Sequence, residues 1–66
     1  MRVVVNGDPV VLSDSSTVRG MLEVLGVAPE RVAVEVNLEI VPRQDYASWA
    51  LHEGDRIELI TFVGGG

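Results

Sequence analysis

Apolar residues recur at two periods along this 66-residue chain. Over residues 1–5 a β-branched run alternates, with Val3 and Val5 on one face and Arg2, Val4 and Asn6 on the other. That is the period-two signature of a strand. Asn6-Gly7 follows, a dipeptide that accepts the left-handed backbone of a tight hairpin turn, and residues 9–12 resume the apolar pattern as a second strand. The period then lengthens. Val18, Met21, Leu22 and Leu25 recur at i, i+3, i+4 and i+7, which is one face of a helix. Ser16 or Thr17 stands where a hydroxyl accepts an orphan N–H of the first turn. Gly26 stands where a left-handed C′ residue ends the helix. Gly20 lies inside the helix and costs up to ~1 kcal/mol relative to alanine; close packing of the helix on a sheet is the expected reason for it.

Beyond the helix, Pro29 and Glu30 read as a loop. Alternation returns over residues 31–36, with Val32, Val34 and Val36 set against Ala33 and Glu35. Asn37-Leu38-Glu39 reads as a turn and residues 40–41 as a short strand stopped by Pro42. Residues 45–51 carry no clear period; a helical turn that folds Tyr46, Trp49 and Leu51 over the core is one reading. Glu53-Gly54-Asp55 is a turn, and residues 56–63 form the last strand, with Ile57 and Leu59 on one face and Glu58, Ile60 and Phe62 on the other. The helix provides the crossover that lets the last strand lie beside the first. One helix on one face of a mixed sheet is a two-layer α+β domain. The order of elements predicts a β-grasp roll, as in ubiquitin, over residues 1–63, followed by a flexible glycine tail at residues 64–66.

Composition narrows the function. Five basic residues face ten acidic ones, for a formal net charge of −5, and all five are arginines: Arg2, Arg19, Arg31, Arg43 and Arg56. Nucleic-acid binding needs clustered cations and is disfavoured, whereas a negative body is steered toward positive partner surfaces. A hydrophobic share of 47% suits a folded domain. The chain has no apolar stretch of the roughly 18 residues that span a bilayer and no leader pattern at its start, so a cytoplasmic protein without membrane contact is expected.

Side-chain catalysis finds few candidates. There is no cysteine to act as nucleophile or thiolate ligand, and His52, the one histidine, sits beside a turn where a solvent-facing role is the simpler reading. No metal-ligand spacing is present, and Gly64, Gly65 and Gly66 follow a strand without the helix that a phosphate loop requires. The chemical group that remains is the main-chain carboxylate of Gly66. Glycines without Cβ can thread a narrow channel, and three of them reach roughly 10 Å. Activation with ATP turns a carboxylate into an acyl-adenylate, which an amine, a thiol or a persulfide can attack. The chain is then a carrier and co-substrate for enzymes, not an enzyme, and binds no cofactor of its own.

The sequence resembles the ThiS family of sulfur carriers in thiamin thiazole biosynthesis over nearly its whole length. The resemblance rests on Val3-Val4-Val5-Asn6-Gly7, on Thr17-Val18 with Leu22 and Leu25, on Val34-Glu35-Val36-Asn37, on Ile40-Val41-Pro42-Arg43 followed by Tyr46, and on Gly54-Asp55-Arg56-Ile57-Glu58-Leu59 with the final glycines. Tyr46 stands where tryptophan is frequent in the family, and Gly64 adds a unit to the tail. The resemblance implies three partners: a ThiF-like adenylyltransferase that uses ATP and magnesium, a cysteine desulfurase or other persulfide source, and a ThiG-like thiazole synthase that accepts the sulfur. It places the thiocarboxylate on Gly66, with Gly65 required by channel sterics and Gly64 extending reach.

Val4, Ile60 and Phe62 are expected to fall together on the open sheet face as a docking patch, given pairing of the first and last strands. A free monomer is expected. Other readings stay open on the residues: the small subunit of molybdopterin synthase, a carrier for tRNA thiolation or cysteine formation, and a ubiquitin-like modifier. The absence of lysine excludes self-chaining through lysine in the last case.

Overall fold

The structure is a computed structural model that describes residues 1–62. Five strands and one α-helix follow in the order β1 (Arg2–Val5), β2 (Asp8–Val11), α1 (Val18–Leu25), β3 (Val32–Val36), β4 (Glu39–Ile40) and β5 (Arg56–Thr61), with short 3-10 turns at Pro29–Arg31 and Arg43–Asp45. The sheet order is β2-β1-β5-β3-β4, with β1 and β5 parallel and every other neighbour antiparallel. The last strand is therefore central, as the α+β β-grasp reading requires.

Both hairpins turn on an asparagine. Asn6 and Gly7 have φ of 48° and 88°, and Asn37 and Leu38 have φ of 52° and 70°. Two successive left-handed residues match the twist of the flanking strands. Glycine and asparagine tolerate that conformation; in leucine at φ 70° the Cβ crowds the following carbonyl oxygen. The other difference in the hairpins is one of boundary. β2 begins at Asp8, and β4 takes Glu39 and ends at Ile40, although Val41 stays buried and donates its N–H to the Val34 carbonyl at 2.9 Å. Pro9 sits on the outer strand β2, where its missing N–H disturbs no ladder.

Thr17 caps α1, its hydroxyl accepting the Gly20 N–H at 3.1 Å, and Gly26 closes the helix at φ 72°. The two preceding helix N–H groups are satisfied from the chain's third quarter: Val18 donates to the Trp49 carbonyl at 3.0 Å and Arg19 to the Tyr46 carbonyl at 2.9 Å. Leu51 returns the contact by donating to the Ser16 carbonyl at 2.9 Å. This is what orders residues 45–51. After the 3-10 turn they run as a strap across the start of the helix, with Tyr46 and Leu51 buried and Trp49 packed against the core. Gly20 has a different role from the one expected. A Cβ there would meet only the Thr17 hydroxyl, at 3.6 Å, so the helix does not need glycine to approach the sheet.

The core lies between α1 and the inner sheet face. Val3, Val18, Met21, Leu22, Val32, Val34 and Ile57 are all but fully buried. At about 1.5–3 kcal/mol per buried aliphatic side chain, this cluster holds together a domain that has no cysteine to cross-link it. The Tyr46 hydroxyl enters the core and donates to the Val32 carbonyl at 3.1 Å. The expected last strand, 56–63, ends at Thr61; Val63, and with it the tail Gly64, Gly65 and Gly66, lies outside the described residues.

Candidate functional site

β5 alternates across the sheet. Ile57 is buried and Leu59 half-buried on the helix side, while Arg56, Glu58 and Ile60 face the open side. Phe62 continues the strand direction and donates its N–H to the Arg31 carbonyl at 3.1 Å. Register then decides which residues meet. Ile60 stands opposite Ala33, a small neighbour that leaves it 50% exposed, and Phe62 is 58% exposed beyond it. Val4 shares their face but stands opposite Arg56, four positions earlier on β5. At ~3.3 Å per residue, about 13 Å separates it from Ile60. The expected three-residue patch is therefore two places. Ile60 and Phe62 form an apolar end beside the exit toward residue 63. Val4 lines a hollow of ≈ 310 Å³ at the other end, with Leu38, Arg56 and Glu58.

Between them lies a feature that the pattern of single strands hides. Glu35 and Glu58 are direct cross-strand partners on the open face, and among the described residues neither makes an ion pair. Like charges in this arrangement cost a few tenths to about 1 kcal/mol. Ile40 stands on the far side of Glu35 and is 71% exposed. Ile40 and Leu38 are not candidates on the sequence alone, because a two-residue strand and the turn before it have too few positions to show which face they present.

A family model described as the ThiS family matches residues 1–66. The chain belongs to the ThiS family. It is 30% identical to the sulfur carrier protein ThiS of Escherichia coli, over 100% of both chains. It is also 48% identical, over its full length, to part of a thiazole synthase of Paramagnetospirillum magneticum. The chain spans 20% of the length of that relative. Among solved structures, the thiamine biosynthesis protein ThiS of Geobacter metallireducens superposes with a TM-score of 0.84 at 36% identity, covering 100% of each chain. The β-grasp architecture is thus that of a ThiS structure.

Elsewhere in this ThiS-family domain, His52 and Trp49 line a shallow hollow of ≈ 440 Å³ with Glu39, Ser48 and Asp55. It borders Asp55, before the start of β5, and so lies at the opposite end of that strand from Phe62. His52 is 78% exposed, with Nδ1 3.9 Å from Asp55 Oδ2. Asp55 itself ties loops together: Oδ2 accepts the His52 N–H at 2.8 Å and Oδ1 accepts Asn37 Nδ2 at 3.0 Å. Among the described residues no group of three His, Cys, Asp or Glu is placed to hold a metal ion. No helix among them is long and apolar enough to cross a membrane.

Proposed function

We propose that this chain is a sulfur carrier for the thiazole-forming branch of thiamin biosynthesis, with the main-chain carboxylate of Gly66 as the carrying group. The observation that carries this reading is the end-to-end match, over 100% of both chains, with the sulfur carrier protein ThiS of Escherichia coli. In the proposed sequence a ThiF-like adenylyltransferase joins the carboxylate to AMP, using ATP and magnesium and releasing pyrophosphate. A persulfide sulfur, supplied by a cysteine desulfurase or similar source, attacks the acyl carbon and expels AMP. A thiol reductant cleaves the sulfur–sulfur bond of the resulting acyl disulfide, releasing the donor as a thiol and ending as a disulfide itself, which leaves a thiocarboxylate on Gly66, with Gly65 and Gly64 as the side-chain-free approach. A ThiG-like thiazole synthase accepts the sulfur; the presence of a similar 66-residue segment within a thiazole synthase of Paramagnetospirillum magneticum supports that partner. The cytoplasm is the proposed setting, and the chain acts as a co-substrate without a cofactor of its own.

Docking is assigned to the apolar end of the open face, Ile60 and Phe62, with Val4 as a separate contact. Intact-mass spectrometry after incubation with the adenylyltransferase, ATP, magnesium, a persulfide source and a thiol reductant tests the reading. The expected product carries sulfur in place of one oxygen at Gly66. The chain lacking Gly66 is expected to unfold at the same temperature and to remain unloaded; normal loading of that truncated chain overturns the mechanism.

A further inference from the structure

β1 supports β5 over only part of its length. Main-chain pairing between them covers Val4 with Arg56 and Val5 with Ile57, after which β1 turns away into its hairpin. The ladder nevertheless continues by one rung, through a side chain. The Val4 N–H donates to the Asp55 carbonyl at 2.9 Å and the Asn6 N–H to the Ile57 carbonyl at 2.9 Å. Next in that series, Asn6 Nδ2 donates to the Leu59 carbonyl at 3.2 Å, and Asn6 Oδ1 accepts the Leu59 N–H at 2.8 Å. The carboxamide presents one donor and one acceptor in the plane of a peptide group, and it takes the place of the strand that is no longer there. Leu59 lies three residues before Phe62, on the strand that leads to residues 63–66.

We propose that Asn6 is a positioning residue for the chemistry at Gly66: by holding Leu59 from the β1 side it fixes the direction in which β5 delivers the chain's last residues to a partner. The inference rests on the carrier reading above. Sequence reasoning assigns Asn6 only to the turn, and the turn does not require this carboxamide, since glycine accepts φ 48° equally well.

Two variants separate the roles. Asn6→Gly keeps the turn and removes both bonds. Asn6→Asp keeps the acceptor for the Leu59 N–H and removes the donor to the Leu59 carbonyl. Each is compared with wild type by amide hydrogen exchange and by ATP–pyrophosphate exchange with the adenylyltransferase, at a temperature where all three are folded. In Asn6→Gly the Leu59 amide is expected to exchange faster, and kcat to fall at least about tenfold, within the roughly 100-fold that a 1 Å misplacement of a reacting group can cause. KM is expected to change by less than about twofold, because the docking side chains remain. Asn6→Asp is expected to keep Leu59 protected and to fall between the two in kcat. A purely structural role predicts lower stability with wild-type kcat, and that result in the folded variants overturns the inference. Should Asn6→Gly not fold, Asn6→Asp decides alone: wild-type kcat sinks the proposal and a reduced kcat at unchanged KM upholds it. A wild-type chain that supports no exchange at all overturns the carrier reading itself, and the inference with it.

Discussion

Single residues in this domain are not all chosen for stability. Leu38 takes φ 70° while 91% exposed, so it has both backbone strain and little burial to offset it. Glu35 and Glu58 face each other, and among the described residues neither makes an ion pair. Arg19 stands in the first turn of α1 and Glu23, 4.0 Å from it, one turn later. This is the reverse of the order that the helix dipole favours. Gly20 belongs with them: the site has room for a methyl group and pays the entropic cost of lacking one. Gly20→Ala is expected to raise stability by up to ~1 kcal/mol, read as a higher urea midpoint with an unchanged m-value. A drop in the midpoint contradicts the open space around that Cα.

Among the elements, the strap over residues 45–51 ties the start of the helix to the rest of the fold. It caps the helix, buries Tyr46 and Leu51, and is joined back to the helix start through the Thr17–Ala50 bridge. Thr17 is the meeting point, and Thr17→Ala is expected to cost about 1 kcal/mol, measured by chemical unfolding; a cost near zero means that the strap's carbonyls suffice to cap the helix. The strap also marks where sequence reading stops. Asn6-Gly7 is legible because its chemistry is local: both residues favour the backbone that the turn needs. The helix and β3 are legible because a buried face imposes a period. Nothing local gives residues 45–51 their path, which follows from helix N–H groups more than twenty-five positions earlier in the chain. The Val4–Ile60 separation was hidden for a related reason. Alternation assigns a face, but the register of a parallel pair is set by the whole crossover between its strands.

At the scale of the molecule, the open face changes in chemistry along its length. One end, Ile60 and Phe62, borders the exit toward the glycines; the centre is acidic; the other end joins Val4 and Leu38 beside Arg56. Under the carrier proposal, a partner that takes up the last residues docks at the first end. Phe62→Ala is expected to raise the KM for adenylation about tenfold while leaving the unfolding midpoint within experimental error, since a side chain 58% exposed contributes little to the core. Unchanged steady-state kinetics in that variant remove Phe62 from the docking surface.

The central place of β5 has one more consequence, for synthesis. β5 is the last strand to be made and the one to which both β1 and β3 must bind. Until it arrives, the two halves of the sheet have nothing between them, so closing the sheet waits for a contact between distant parts of the sequence. Ile60 and Phe62 travel on that same strand. A chain cut short before β5 thus lacks both the closed sheet and these two side chains. One strand in this way completes both the sheet and its exposed apolar end.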